Sequence, residues 1–341
     1  MINLMNDYCS VGHPEILKKL IEKQNNRYVG YGLDTETLSA KEAIKKAINN
    51  DSVDIHFIVG GTPTNKIFIA HALKPYEAVI SCDSGHINVH ETAAIEQTGH
   101  KILITKGVNG KITPNGIKEI VYKHVDEHMV KPRLVYISNS TEYGTIYSLN
   151  ELKEISKLCK ELDLLFYVDG ARLSAALTSE YNDVTLEELT NLVDAYYIGG
   201  TKNGLLYGEA LVIVNEELQK NFRYSLKHYG GMLAKGFITG IQFNELFNNN
   251  LFYEIGYHEN KLAKLLSDGL KQLDIKFLME RQTNQIFPIF KKEIVNKLKE
   301  HILFELWEEL ETEYVIRFVT HFNLKEEEII AALNIISTIE E

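Results

Sequence analysis

Residues 162–172 read LDLLFYVDGAR, an apolar run that ends on Asp169 and a glycine. A short apolar run bounded by a turn residue is typical of a buried strand, which we predict over residues 162–168. A second apolar run, at residues 195–198, is followed by GGTK and so leads to Lys202. Because open α/β sheets bind their ligands outside the carboxyl ends of the strands, we expect Asp169 and Lys202 to share one site.

A lysine and a carboxylate at this edge of a sheet suit the chemistry of pyridoxal phosphate (PLP). This cofactor needs a lysine that forms an imine with it and a carboxylate that keeps its pyridine nitrogen protonated. The protonated ring then takes up the electron pair released when a bond to the substrate Cα breaks. Either residue alone is more often a helix cap or a solvated loop residue, so the inference depends on the pair and on the segments below.

A third segment is a candidate phosphate site. Residues 60–65 read GGTPTN and connect a predicted strand at 54–59 to a predicted helix at 66–73. The free backbone N–H groups and the dipole at the start of a helix favour a bound anion. The glycine spacing fits neither the dinucleotide fingerprint nor the Walker motif, which argues against a dinucleotide or a nucleoside triphosphate.

The rest of the chain alternates strand-like and helix-like segments. Apolar runs predict further strands at 77–81, 101–104, 134–138 and 208–214, and amphipathic stretches predict helices at 14–21, 115–128 and 150–162. This alternation predicts an α/β fold with a mostly parallel central sheet and helices on both faces. From about residue 243 the pattern changes to long helices with a few short strands. We therefore predict a large domain, with an N-terminal segment, over residues 1–242 and a smaller C-terminal α+β domain over residues 243–341.

Composition and charge argue against several classes of function. The chain has 341 residues, 45% of them hydrophobic, and can bury a large core, while its net charge of -11 argues against nucleic acid as a partner. Its cysteines, Cys9, Cys82 and Cys159, have no C-x-x-C spacing, so we expect neither a disulfide framework nor a metal site. We see no signal-peptide pattern and no apolar run near the ~18–20 residues that span a bilayer. We expect a soluble, cytoplasmic protein without membrane partners.

Three more residues are candidates for roles that a PLP site requires. His86 follows the predicted strand at 77–81, and its flat ring could stack on the cofactor, although a lone histidine in a loop is more often structural. An amino-acid substrate also needs a cation for its carboxylate, for which the planar fork of arginine is well suited. Arg172 is one candidate. Arg317, a single charge within an apolar run, is the other, unless it lies on an edge strand and points outwards.

Taken together, these segments resemble the L-threonine aldolase and β-eliminating lyase group of PLP enzymes. The resemblance covers nearly the whole chain, from NDY near the start to RFVT near the end, and its most specific segments are VDGAR, GGTPTN, GGTK and GGM. It implies a PLP-dependent fold type I (aspartate aminotransferase-like) architecture. It also implies that Lys202 holds the cofactor, Asp169 pairs with the ring nitrogen, His86 stacks on the ring, and Gly61 and Thr62 bind the phosphate.

The same resemblance extends to the substrate and to the assembly. It implies that Arg172 and Arg317 serve the cofactor and the substrate carboxylate. Tyr31 matches a tyrosine that typically enters the site from the neighbouring subunit. The resemblance therefore implies a homodimer or homotetramer with active sites at the subunit interface.

Three positions depart from the better-known aldolases. Asn6 stands where they carry a serine, and it can still donate a hydrogen bond to a carboxylate. Glu142 stands where they carry an active-site histidine. Leu233 replaces an arginine, which leaves Lys235 as a substitute phosphate contact. The cofactor residues thus match the family, and the substrate residues depart from it.

The expected reaction is PLP-dependent aldol cleavage of a β-hydroxy-α-amino acid, threonine or allo-threonine, to glycine and an aldehyde. The general base is left open between Glu142, His86 and a water molecule. β-Elimination and racemisation need the same lysine and aspartate and stay as alternatives. A PLP-binding protein without catalysis is a more distant one.

Overall fold

The computed structural model describes residues 1–340, in which β-strands and α-helices alternate along much of the chain. The strands are β1 (Ile2–Asn3), β2 (Asp54–Ile58), β3 (Glu77–Cys82), β4 (Ile102–Thr105), β5 (Lys131–Ser138), β6 (Leu165–Asp169), β7 (Ala195–Gly199), β8 (Glu209–Ile213), β9 (Lys276–Phe277), β10 (Gln285–Ile286), β11 (Pro288–Lys291), β12 (Ile302–Leu303), β13 (Glu305–Glu309) and β14 (Glu313–Val319). The helices are α1 (Pro14–Glu22), α2 (Thr35–Ile48), α3 (Gly61–Ala72), α4 (His86–Val89), α5 (Pro114–Lys123), α6 (Leu149–Glu161), α7 (Leu173–Leu177), α8 (Leu186–Leu192), α9 (Glu216–Gln219), α10 (Phe222–His228), α11 (Phe237–Asn248), α12 (Leu251–Gln272), α13 (Lys292–Leu298) and α14 (Glu326–Glu340).

The large sheet has seven strands in the order β2-β8-β7-β6-β5-β3-β4. β8 is antiparallel to both of its neighbours, and the pairs from β7 to β4 are parallel. Alternate side chains along β6 enter two cores, with Phe166 and Val168 on one face and Leu165 and Tyr167 on the other. The predicted mostly parallel sheet, covered on both faces, is confirmed.

Several predicted boundaries are wrong; the helix predicted over residues 115–128, for example, ends at Lys123. The strand predicted from residue 162 begins at Leu165, since Leu162 caps α6 and Asp163 has a left-handed φ of 53°. The helix predicted from residue 66 already begins at Gly61, so that the GGTPTN segment forms its first turn.

The ends of β6 and β7 are held together by backbone contacts that only glycine permits. The N–H of Gly199 donates to the carbonyl of Gly170 at 2.9 Å. A Cβ at Gly170 would overlap the carbonyl oxygen of Tyr197, and a Cβ at Gly199 would overlap that of Ala171. These contacts fix the spacing between the strand end that carries Asp169 and the turn that carries Lys202.

A second sheet and a third hydrophobic core form around β14. This strand pairs with β13 on one side and with β10 and β11 on the other. β14 is therefore an interior strand, and Arg317 within it is only 6% exposed. The alternative of an outward-pointing arginine on an edge strand is wrong. The boundary between residues 242 and 243 stays a prediction, and it lies within α11.

The third core draws on both ends of the chain. Leu4 packs there with residues of α12 and α14, and β1 pairs in parallel with β12. The N-terminal segment thus packs against the C-terminal part of the chain, and β1 and β12 form a separate two-stranded sheet. Within residues 1–340, no helix combines the length and the apolar character needed to cross a bilayer.

Candidate active site

A cavity of about 270 Å³ lies beyond the carboxyl ends of β6 and β7. Five of the predicted site residues line it: His86, Glu142, Arg172, Lys202 and Arg317. Its remaining walls are Tyr8, His90 and Glu305. Residues from distant parts of the sequence therefore converge on one polar cavity, as the strand-end argument predicts.

Lys202 reaches the cavity from the tight turn that follows β7. The turn is closed by hydrogen bonds from the N–H of Thr201 to the carbonyl of Gly208, at 3.1 Å, and from the N–H of Asn203 to that of Gly200, at 2.8 Å. Burial lowers the pKa of Lys202, and the nearby Arg172 lowers it further. A lysine of this kind has more of the neutral amine that attacks a carbonyl group.

Asp169 is buried at the base of the site, where three groups donate to it. Its Oδ2 accepts from the hydroxyl of Tyr136 at 2.7 Å and from Nδ2 of Asn65 at 2.9 Å, and its Oδ1 accepts from the N–H of Ala171 at 3.1 Å. Burial alone would raise the pKa of Asp169, but His86 and these hydrogen bonds hold it below its usual value. The carboxylate is therefore charged at neutral pH.

His86 begins the short helix α4 and is held by one ring nitrogen. Its Nδ1 lies 2.8 Å from Oε1 of Glu91, a glutamate that sequence reasoning missed. Burial acts to lower the pKa of His86, but the hydrogen bond with Glu91 and the charges of Glu142 and Asp169 raise it overall.

Arg172 forms a buried two-point ion pair with Asp7. Its Nε lies 2.6 Å from Oδ2 of Asp7, and its Nη2 lies 3.2 Å from Oδ1. Asn284 adds a third hydrogen bond to the same carboxylate, at 3.1 Å. Asp7 therefore takes two of the N–H groups of Arg172, and the guanidinium borders the cavity with the others.

Arg317 lies at the opposite wall of the cavity with a donor to spare. Its guanidinium contacts the carboxylate of Glu305 and lies 5.2 Å above the ring of Trp307. Its Nε is buried without a hydrogen-bond partner among residues 1–340. Because Arg317 lines the cavity, its guanidinium can donate hydrogen bonds to a carboxylate ligand.

Glu142 is buried, at 7% exposure, in the loop after β5. The loop is closed by a hydrogen bond from the N–H of Thr141 to the carbonyl of Thr145, at 2.8 Å. Within residues 1–340 the Glu142 carboxylate forms no hydrogen bond or ion pair. It lines both the site cavity and a wider opening of about 600 Å³ that leads out past Trp307.

Gly61 and Thr62 open helix α3 and do not border the cavity. Gly60 precedes them as an N-cap without a side-chain hydrogen bond, so the first N–H groups of α3 are free for an anion. One turn later, Asn65 joins the helix to Asp169. The predicted phosphate site is therefore connected to the predicted ring site through one side chain.

Besides Asp169, Gly61 and Thr62, three more predicted residues do not line this cavity: Asn6, Tyr31 and Lys235. Asn6 accepts a hydrogen bond from the N–H of Tyr8 at 3.1 Å, so Tyr8 rather than Asn6 lines the wall. Tyr31 is 46% exposed, and its N–H donates to the carbonyl of Ala234 at 3.1 Å, which places it beside the exposed Lys235. Their roles stay predictions, and the position of Tyr31 and Lys235 suits a contribution to another copy of the chain.

Sequence reasoning missed four contributors: Asp7, Asn65, Glu91 and Glu305. Asn65 belongs to the GGTPTN segment, and its helical position one turn after Gly61 was the available signal. Glu305 lies opposite Arg317 in the pairing of β13 with β14, which no local pattern reveals.

The residues present fit PLP. Lys202 lies in the cavity, Asp169 is a buried charged carboxylate below it, and α3 offers free N–H groups for a phosphate. The fold and these residues define an aspartate aminotransferase-like enzyme of fold type I.

A comparison with models of protein families identifies the family within this fold. Residues 3–293 match the model of the β-eliminating lyases, and the chain belongs to this family of PLP-dependent lyases. Two relatives named low specificity L-threonine aldolase are similar to it. One, from a Pseudomonas species, is 32% identical over 273 residues, which cover 78% of each chain. The other, from Pseudomonas aeruginosa, is 30% identical over 279 residues, 80% of each chain.

Solved structures agree with this placement. A threonine aldolase from Leishmania major superimposes with a TM-score of 0.99 at 39% identity, over 100% of both chains. An aspartate aminotransferase from Thermus thermophilus has a TM-score of 0.73 at 13% identity, over 99% of this chain and 91% of its own, and shares the fold.

The buried Asp7–Arg172 pair generates a stability prediction. Burial alone would raise the pKa of Asp7, but Arg172 and Lys202 lower it overall. The charged carboxylate therefore stabilises the fold above its unfolded pKa of about 3.9, and this contribution is lost as the pH falls through the folded value. Asp7→Asn should lower the free energy of unfolding by about 3–5 kcal/mol at neutral pH, because it leaves Arg172 buried and unpaired. Urea denaturation measures this.

A surface pair gives the matched control. Asp163, 79% exposed, lies 2.7 Å from Arg133, so Asp163→Asn should cost less than about 1 kcal/mol. The difference between wild type and Asp7→Asn should shrink as the pH is lowered. A difference below 1 kcal/mol at neutral pH, or one that grows in acid, would contradict this account.

Proposed function

We propose that this protein binds PLP through Lys202 and cleaves threonine or allo-threonine to glycine and acetaldehyde. The observation that carries the proposal is the convergence of Lys202, Arg172, Arg317, His86 and Glu142 on one cavity above Asp169. The names of its relatives, low specificity L-threonine aldolase, support the same reaction. We extend the proposal to a β-hydroxy-α-amino acid substrate in general.

PLP, when bound, supplies an electron sink for the carbon that loses its bond to Cβ. The charged carboxylate of Asp169, fixed by Tyr136 and Asn65, keeps a proton on a ring nitrogen placed against it. The N–H groups of Gly61 and Thr62 would hold the phosphate, and Lys202 would supply the amine that attaches the cofactor. His86 would stack on the ring.

The two arginines orient the substrate. Arg317 lines the cavity and donates to the α-carboxylate, while its guanidinium also contacts Glu305. Arg172 is held in place by Asp7 and adds a second positive charge. A carboxylate fixed at two points restricts rotation about the substrate Cα, and this orientation decides which bond is broken.

Glu142 is placed to handle the proton of the β-hydroxyl group. Its carboxylate borders the cavity without a protein partner, and the opening beside it can admit the side chain of the substrate. When the Cα–Cβ bond breaks, the hydroxyl must lose its proton for the aldehyde to form. A carboxylate without another partner can take that proton.

We also propose that the active protein is a homodimer or homotetramer in the cytoplasm. Tyr31, Leu33, Tyr224 and Met232 line an exposed, largely apolar hollow on the side of the chain that carries Lys235. An apolar patch of this kind is typical of a protein interface. A second copy seated there would bring its own site within reach of Tyr31.

Product analysis tests the reaction. The PLP-loaded protein, incubated with L-threonine and with L-allo-threonine, should release glycine and acetaldehyde in equal amounts. Release of a 2-oxo acid and ammonia would identify β-elimination instead, and appearance of the other enantiomer would identify racemisation. Absence of glycine would contradict the proposed function.

The role of Glu142 gives a separate prediction. Glu142→Gln keeps the shape of the side chain and removes its ability to accept a proton. The rate of cleavage, kcat, should fall on the order of 10²–10⁴-fold, the usual contribution of a positioned base, with KM little changed. Glu308→Gln, at the exposed rim of the same opening, is the control and should retain activity. A loss below tenfold in Glu142→Gln would show that His86 or a water molecule removes the proton.

A further inference from the structure

We propose that Glu91 is a positioning residue that holds His86 as the tautomer with its proton on Nδ1 and its Nε2 lone pair facing the active-site cavity. The inference deepens the proposed function and rests on it for the task of His86. It assigns a role to a buried acid that the reaction described above does not use.

The contact between the two side chains determines the tautomer. The Glu91 side chain has no exposed surface, and its Oε1 lies 2.8 Å from Nδ1 of His86. A carboxylate can only accept in this contact, so Nδ1 must carry the hydrogen. Nε2 of His86 has no hydrogen-bond partner within residues 1–340, and His86 lines the cavity. The hydrogen bond of Nδ1 with Glu91 thus leaves Nε2 as the unprotonated nitrogen, which can accept a hydrogen bond from a ligand.

Asn65 fixes Glu91 from the other side. Its Nδ2 donates to Oε1 of Glu91 at 2.8 Å and to Oδ2 of Asp169 at 2.9 Å, while its Oδ1 accepts from the hydroxyl of Tyr167 at 3.0 Å. His86, Glu91 and Asp169 each have one ligand atom within 4.8 Å of the others, a spacing that could also hold a cation. The Asn65 amide points its hydrogens at both carboxylates, which favours a hydrogen-bonded chain over a metal ion.

The second carboxylate oxygen of Glu91 argues against a role in core packing alone. Oε2 is buried without a partner among residues 1–340, which is costly for a carboxylate. A glutamine or an apolar residue would fill the same space at less cost. A retained charge next to His86 is explained if it acts on the imidazole, as a carboxylate does on the histidine of a nucleophilic triad.

The charges around His86 set the sign of the pH effect. Glu91, Glu142 and Asp169 favour its protonated form, whereas burial, Lys202 and the neighbouring His90 oppose it. Removing the charge of Glu91 therefore lowers the pKa of His86. A titration of His86 in Glu91→Gln should therefore give a pKa below that of the wild-type protein.

The experiment reads the tautomer directly. The PLP-loaded protein, labelled with ¹⁵N at its histidine side chains, is titrated by NMR, and His86→Asn identifies the His86 signals. Wild type should show a protonated Nδ1 and an unprotonated Nε2 in the neutral form, and Glu91→Gln should show a lower pKa for His86. If the neutral His86 of the wild-type protein carries its proton on Nε2, this spectrum alone overturns the inference.

Activity adds a second readout. Glu91→Gln should lower kcat on the order of tenfold or more because His86 loses its fixed orientation, and Glu91→Asp should restore part of the loss. Glu96→Gln changes an exposed glutamate on the same segment and should leave both kcat and the pKa of His86 unchanged. An unchanged pKa of His86 in the NMR titration of Glu91→Gln would overturn the inference. If the wild type forms no glycine, the proposed function fails, while the NMR result still decides the tautomer.

Discussion

The close backbone contact between the ends of β6 and β7 is the constraint on which the site depends. Gly170 and Gly199 let the two chain segments approach until the N–H of one bonds to the carbonyl of the other at 2.9 Å. Parallel pairing brings both carboxyl ends to the same edge of the sheet, and the glycines set their separation. A carboxylate and a lysine far apart in sequence can therefore act on one cofactor.

Charge balance explains how so many ionisable groups share one cavity. Asp7 neutralises Arg172, Glu305 contacts Arg317, and Glu91 is bonded to His86, so each of these three basic side chains has its own carboxylate. Lys202 and Glu142 are left without such a partner. These two unpaired groups are the ones to which we assign attachment of the cofactor and transfer of the proton.

The sequence was sufficient for the parallel sheet, the strand-end placement of Asp169 and Lys202, and five of the eight residues around the cavity. Apolar runs and glycine turns are local signals, and the rules of α/β sheets convert them into position. The sequence alone did not predict that Asp7, Glu305 and Glu91 contribute to the site. Asp7 meets Arg172 across 165 residues, Glu305 meets Arg317 through strand pairing, and Glu91 is marked only by its burial. The edge-strand alternative for Arg317 failed for the same reason, because strand order is a tertiary property.

The central claim is that Lys202 carries the cofactor at the edge where Asp169 meets it. Reduction of the PLP-loaded protein with borohydride fixes the cofactor to the lysine that holds it, and peptide mapping then identifies that residue. The account predicts the label on Lys202 and its loss in Lys202→Ala. A label on any other lysine would contradict it.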